Sequence, residues 1–419
     1  MVYSYENCCN YNYSTGHDIT QFLVLRMISK SMRNIDNLTI HRFRGIRDLK
    51  LEELGQINLL VGVNNSGKTS VLEAISTYCN PLDPLEWINT AWRREIKFSR
   101  KSKLETLKWL FPQNNDNNPD DFYQGETKVS GSGNFSVVES KATYEEFEDI
   151  SKTTGNNNEE YEQENQIDDE IDIDNNEIRR GADLILEVTT QQEVTTLDEE
   201  EKRSRYEREK VLRQFIIMEN EGLMNRAKRS KIKKLSVNMI TPISHKIEPF
   251  TKLFTQTTFQ GFKQEVIELI SMIDSEIIDL DILDPTGKNS RLYVIHKTLG
   301  ITPISAFGDG VLRLLFMALT IAKSKDGILL IDELETSIHT EALRPSFSWL
   351  VKWCRKMNVQ LFATTHSLET VDAVLDASES TNDLVLYRLY QKDMQTKTVR
   401  IDQAKLGRVR ENLGLEVRW

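Results

Sequence analysis

Three short apolar runs stand out along the chain: Ile57-Asn58-Leu59-Leu60-Val61, Gly327-Ile328-Leu329-Leu330-Ile331 and Val359-Gln360-Leu361-Phe362-Ala363-Thr364. Each has strand length, and a continuous aliphatic run without a polar face predicts a strand covered on both sides, as in the centre of a parallel sheet. Between and around them the pattern changes period. Ser70-Val71-Leu72-Glu73-Ala74-Ile75 and Val311 to Ala322 predict helices, and Phe259 to Ile277 predicts an amphipathic one with Phe262, Val266, Leu269, Ile270 and Ile273 near one face. Gly133 to Val138 and Ala182 to Thr190 alternate as antiparallel strands do, and further strands are predicted at Leu38 to Ile46, Leu384 to Tyr390 and Thr396 to Ile401. Leu197 to Met218 carries dense mixed charge and predicts a helix, too short and too poor in apolar heptads for a coiled-coil arm.

The fold class is therefore α/β: a mixed sheet whose central parallel strands carry the site motifs, with an antiparallel lobe and a helical insertion. The expected division is an N-terminal extension over residues 1–33, without order of its own, and a first half of the main domain over 34–113. Antiparallel strands with an acidic solvated loop follow over 114–200, then a helical insertion over 201–281 and the second half of the main domain over 282–419. The acidic tracts are Asn114 to Asp121 and Tyr144 to Asn176. There Asn, Asp and Glu dominate, so Asp172 and Asp174 are read as solvated rather than as a metal pair.

Composition narrows the function classes. A chain of 419 residues with a formal net charge of −11 can build a large core and is not globally attractive to nucleic acid. Its four cysteines, Cys8, Cys9, Cys79 and Cys354, show neither metal-ligand spacing nor a disulfide framework, which suits a reducing cytoplasm. No run has the apolar length of a membrane span, and no secretion signal is evident. Two basic clusters interrupt the acidic background: Arg226, Lys228, Arg229, Lys231, Lys233 and Lys234, and Arg93, Arg94, Lys97, Arg100, Lys101 and Lys103. They could contact nucleic-acid phosphates or form solvated faces, and both readings stand.

The chemistry lies at the strand ends. Gly62-Val63-Asn64-Asn65-Ser66-Gly67-Lys68-Thr69 fits the pattern G-x-x-x-x-G-K-[ST] between a predicted strand and a predicted helix. Unpaired amides of Asn64, Asn65, Ser66, Gly67 and Ser70, together with the helix dipole, would cradle a polyphosphate. Lys68 would reach the β/γ-phosphates and the Thr69 hydroxyl would bind Mg²⁺. Asp332 and Glu333 emerge at the C-terminal end of the second run. The first is suited to holding Mg²⁺ through water and the second to polarising the attacking water. His366, beyond the third run, could contact the γ-phosphate. Ser305, Gly308 and Gly310 place a small polar loop at another helix start, a second anion site that would close over the ATP of another copy.

The order of phosphate loop, Ser305-Ala306-Phe307-Gly308-Asp309-Gly310 loop, Leu329-Leu330-Ile331-Asp332-Glu333 strand and Thr365-His366-Ser367 switch resembles the ABC-type ATPases of the SMC, RecF and OLD group. It is most similar to stand-alone ATPases of the OLD-like branch. Arg42-Phe43-Arg44 in the opening strand, Asp332-Glu333-Leu334-Glu335 with Ser337-Ile338-His339, and His366-Ser367-Leu368-Glu369 carry the likeness. It covers Asn37 to Ile75 and Ile282 to Trp419. The signature loop departs from Ser-Gly-Gly, because Ala306 and Phe307 separate Ser305 from Gly308, and Gln113 is one glutamine-loop candidate, although it opens a polar stretch and reads better as a surface residue. The resemblance implies a P-loop head that binds ATP and Mg²⁺, hydrolyses ATP and dimerises head to head around two nucleotides, or forms a higher homo-oligomer. It further implies a separate effector protein, such as a nuclease, nucleic acid as a further partner, no membrane, and a role in anti-phage defence or DNA repair. The expected alternatives are an ATPase-regulated nuclease component, for which the chain after the switch leaves no room for a Toprim domain, and a non-hydrolysing nucleotide-binding scaffold.

Overall fold

A computed structural model describes residues 33–94, 102–113, 122–152, 176–198, 201–219, 222–223, 232, 234–247, 249–378, 383–393, 395–412 and 414–418. Residues 1–32 of the N-terminal extension, the Asn114 to Asp121 tract, Asp172, Asp174, Cys8, Cys9, the first basic cluster except Lys234, and Lys97, Arg100 and Lys101 of the second lie outside these residues. In chain order the strands are β1 (Asn37–Phe43), β2 (Ile46–Leu51), β3 (Ile57–Gly62), β4 (Gln124–Ser132), β5 (Val137–Lys152), β6 (Asn176–Asp198), β7 (Glu201–Met218) and β8 (Gly222–Leu223). They continue as β9 (Val237–Ile240), β10 (Ile277–Leu283), β11 (Arg291–His296), β12 (Gly300–Pro303), β13 (Ile328–Ile331), β14 (Gln360–Thr364), β15 (Leu384–Lys392) and β16 (Gln395–Asp402).

The three apolar runs become the centre of a six-stranded sheet ordered β16-β15-β3-β14-β13-β9. All neighbours in it run parallel except the edge pair β15/β16. Alternate residues of one strand enter different cores. Leu59 and Val61 of β3 pack with the helices Asp309–Lys323, Thr340–Lys356 and Leu368–Ser378, whereas Leu60 packs with the helix Lys68–Cys79 and the antiparallel lobe. This is why no polar face was left in the sequence. The lobe is a seven-stranded sheet ordered β2-β1-β4-β5-β6-β7-β8, and a smaller sheet, β10-β11-β12, leads into the Ser305 loop.

Three expectations are corrected. Leu197 to Met218 is not a helix, because β7 pairs antiparallel with β6 from Asp198 opposite Glu201 to Gly181 opposite Met218. The period-two signal is there in Phe215 and Ile217, buried, between Leu212, Gln214 and Ile216, exposed. Cross-strand charges such as Lys210 to Glu187 at 2.8 Å let so polar a segment stay extended. The region 201–281 is thus strand first and helical only from Ser244. Phe259 to Ile277 divides into the helices Phe250–Phe259 and Lys263–Ser271, separated at Gly261 with φ 72°, and Ile277 opens β10. Val266, Leu269 and Ile270 do face the core, whereas Ile273 is exposed. Finally, Tyr144 to Lys152 belongs to β5, so the expected solvated loop does not begin at Tyr144.

Candidate functional site

The phosphate loop joins β3 to the helix Lys68–Cys79, as its sequence requires. Gly67 has φ 93°, where only glycine is unstrained, and a Cβ on Gly62 would lie 2.3 Å from the Leu389 carbonyl oxygen. Lys68 Nζ donates to the carbonyls of Gly62 and Val63, both at 2.9 Å, which curls the loop around the ammonium. Burial pulls the Lys68 pKa down, while Asp332, Glu333 and Glu335 act to restore it. Ser66 Oγ is buried without a partner among the described residues.

Because β13 and β3 are both paired to β14, their C-terminal ends lie together. The Thr69 hydroxyl reaches both carboxylate oxygens of Asp332, at 3.0 and 3.2 Å. Thr364, at the end of β14, donates to Asp332 Oδ1 at 2.7 Å and accepts from the Glu333 amide at 2.8 Å. Burial is the main cause raising the Asp332 pKa, opposed by the Thr364 and Thr69 hydrogen bonds. Glu333 sits at φ 52°, an uncommon backbone state for a residue other than glycine. It is held by Thr364 and by Arg313, whose Nη2 donates to the carbonyls of Asp332 at 3.1 Å and Glu333 at 3.2 Å. The Glu333 carboxylate accepts from Thr336 at 2.9 Å. His366 is anchored by its amide, which donates to Glu335 Oε1 at 2.8 Å.

A cavity of about 280 Å³ brings together Asn64, Asn65, Ser66, Gly67, Lys68, Thr69 and Ser70 with Asp332, Glu333 and His366. Ser305, Gly308 and Gly310 are not among its lining residues. Ser305 lies in an exposed 3₁₀ turn, Gly308 caps the helix Asp309–Lys323, and Lys246 pairs with Asp309 at 2.5 Å. Gly310 is bound to the acidic side by packing, since a Cβ there would meet the Ser337 carbonyl oxygen at 2.9 Å. Gln113 donates to the carbonyls of Lys108 and Phe111 and does not line the cavity.

Four residues were not singled out by motif. Thr364 bridges the acid pair. Arg94 lines the cavity, bound to Glu73 at 2.6 and 2.7 Å and to Ser70 at 3.0 Å, and Arg44 also reaches Glu73, at 2.7 Å. Arg313 is fully buried, and its one signal was a charge inside the apolar stretch Val311 to Ala322. Glu335 was read only as part of the acidic segment. The donor set of hydroxyl and carboxylate oxygens suits a hard divalent cation, and the glycine cradle with its lysine suits a polyphosphate.

A family profile described as "AAA domain, putative AbiEii toxin, Type IV TA system" matches residues 57–372, from the strand before the phosphate loop to the helix after His366. The chain belongs to this AAA family. As an AAA domain it shares 54% identity over 44 residues with the uncharacterized protein MJECL10 of Methanocaldococcus jannaschii, covering 10% of this chain and 20% of that protein. It shares 32% identity over 114 residues with MJECL11 of the same organism, covering 26% of this chain and 98% of that protein. The AAA domain thus spans only a fifth of the length of MJECL10. Among solved structures, it is similar to the SMC head domain from Thermotoga maritima, with 11% identity, 88% of this chain and 99% of that chain covered, and a TM-score of 0.38. It is also similar to the Smc head domain with an extended coiled coil bound to the C-terminal domain of ScpA, derived from Pyrococcus furiosus. That match has 12% identity, 91% and 99% coverage, and a TM-score of 0.45. No described helix of this AAA domain is long and apolar enough to cross a membrane.

Proposed function

We propose that the protein is an ATP-hydrolysing switch of the ABC type, related to the OLD-like branch, whose head binds Mg²⁺–ATP and pairs with a second copy around two nucleotides. The observation that carries this reading is the single cavity shared by Lys68, Thr69, Asp332, Glu333 and His366. Lys68 and the amides of Asn64 to Ser70 would hold the phosphates, Thr69 and Asp332 the Mg²⁺, and Glu333 would polarise the attacking water beside His366. Bound Mg²⁺ would neutralise charge on the transferred phosphoryl group.

The second copy would bring Ser305, Gly308 and Gly310 over the nucleotide. Gly308 supports this assignment: its φ of −67° suits any residue and a Cβ there would meet nothing within 4 Å, so neither backbone strain nor crowding within this chain requires a glycine at this helix cap. A close-approaching ligand held by another copy would give one. The switch would act on a separate effector protein or on nucleic acid, in anti-phage defence or DNA repair. The matched family's own description, with its putative AbiEii toxin and Type IV TA system, agrees with the defensive role.

The testing experiment compares Lys68→Ala with Glu333→Gln in ATP-binding and phosphate-release assays. Lys68→Ala is expected to lose binding. Glu333→Gln is expected to bind ATP, turn over roughly 10²–10⁴-fold more slowly and accumulate as a dimer. Turnover in Glu333→Gln at the wild-type rate would reject Glu333 as the base, and wild-type protein that binds ATP without releasing phosphate would favour the scaffold reading.

A further inference from the structure

A second cavity, of about 590 Å³, opens beside β1 and β2 and shares no lining residue with the phosphate-loop cavity. Two arginines, Arg42 and Arg47, line it together with two carboxylates, Asp48 and Glu126. Arg42 and Arg47 are direct cross-strand partners in the β1/β2 pair, and both line the space. Like charges placed opposite each other destabilise a sheet pair, so this arrangement costs stability unless an anion lies between or beside them. Burial first, then the neighbouring Arg42, lower the Arg47 pKa, with Tyr123 and Asp48 opposing, as expected for crowded cations.

The nearby carboxylates relieve the crowding only in part, since Asp48 acts to raise the Arg47 pKa but neither carboxylate pairs with an arginine of the site. Asp48 Oδ1 lies 3.6 Å from His41 Nδ1, and Glu126 pairs with Lys141 at 2.6 Å. Among the described residues neither Arg42 nor Arg47 forms an ion pair. Arg47 is instead fixed by donating to the carbonyls of Arg44 at 2.7 Å and Ile46 at 2.8 Å, which holds the guanidinium in place without a carboxylate partner. Neutral donors complete the lining. Gln124 and Gln395 border the cavity, and because the Gln395 side-chain oxygen already accepts from Lys397 at 2.7 Å, its amide N–H groups remain to donate. One fixed and one exposed arginine with amide donors are a phosphate-binding set.

We propose that this cavity binds phosphate groups independently of the phosphate loop, with Arg42 and Arg47 as its anchoring cations. Its volume falls within the range for small-ligand sites, and its open position equally admits a sugar-phosphate backbone. The shared chemistry is the phosphate group, and its source is either a small polyphosphate or single-stranded nucleic acid.

The test uses the full chain carrying Lys68→Ala, so that the first cavity is silenced, with inorganic pyrophosphate and a fluorescent oligothymidylate as probes. Titration calorimetry reads the first and fluorescence anisotropy the second, at low and moderate salt. Binding of either probe that falls at least 10-fold in the added Arg42→Gln, Arg47→Gln pair supports the site. For the oligonucleotide, the slope of log affinity against log salt should also shrink by roughly 1.4, at about 0.7 per phosphate contact. Pyrophosphate binding alone identifies a small ligand, and oligonucleotide binding displaced by pyrophosphate identifies the backbone. Should the double variant misfold, Arg42→Gln alone decides, since that side chain is exposed. Absence of binding by both probes, or equal affinity with and without the arginines, overturns the proposal and leaves the ATPase reading untouched.

Discussion

The Thr69 hydroxyl and the Asp332 carboxylate, 263 positions apart, lie within 3.0 and 3.2 Å of each other. Mg²⁺ would be held there by the Thr69 oxygen and, through water, by Asp332. Thr69→Val keeps the side-chain shape and removes the oxygen, so it is expected to weaken Mg²⁺ affinity during ATP turnover by roughly 10–100-fold. A Mg²⁺ titration of phosphate release checks this. Half-saturation at the wild-type Mg²⁺ concentration would show that Thr69 is not a metal ligand.

Arg313 predicts a structural outcome. Burial pushes its pKa down to about 10, with Asp332, Glu333 and Glu335 opposing, so it stays charged at neutral pH. It donates to the carbonyls of Thr241, Asp332 and Glu333. Arg313→Met would leave these acceptors without their donor at roughly 1–3 kcal/mol each. The unfolding free energy in urea should fall by several kcal/mol, and Glu333 should lose part of what holds its left-handed backbone. A urea midpoint equal to wild type would show the three contacts to be dispensable.

His245 predicts a pH effect. It is buried, and neither ring nitrogen has a partner among the described residues. Burial first, then Arg313 and Lys246, lower its pKa from the ordinary 6.5, with Asp309 opposing. Below that value the unfolded chain takes up the proton more readily than the folded one, so stability is present above pH 6.5 and is lost as the pH falls through it. Thermal melts at about pH 7.5 and about pH 5.5 should show a larger drop for wild type than for His245→Phe. Equal drops would remove His245 as the cause.

How much of this was readable in advance depended on whether a signal was local. The phosphate loop, β13 and β14 each carry their pattern within a dozen residues, and Gly67, Asp332 and His366 fall where those patterns put them. Thr364 was invisible as a bridge because its partner is set by register: Ile331 pairs with Ala363, and that pairing places Thr364 level with Asp332. Arg94 was read within a basic cluster, yet Glu73, one turn beyond the phosphate loop, claims it. The strand at Glu201–Met218 was missed because charge density was weighed above alternation. The charges of Glu207 to Lys210 are exposed on both faces, and only towards the end do Phe215 and Ile217 report a buried one.

The last prediction asks whether the Ser305 to Gly310 loop works on another copy. Gly308→Asp adds a carboxylate where the monomer has open space and an unstrained φ, so the single chain should fold normally. In a head-to-head pair the new charge would face the partner's triphosphate and repel it. Lys68→Ala disables the same composite site from its other side. Each variant alone is therefore expected to lose turnover, but a mixed pair contains one site with both lesions and one site with neither. Equimolar mixing should restore activity, to roughly a quarter of wild type if pairs assort at random and sites act independently. If both elements served one nucleotide within a single chain, no mixture could recover. Phosphate release measured before and after mixing distinguishes the two, and a mixture as inactive as its components would rule out the shared site.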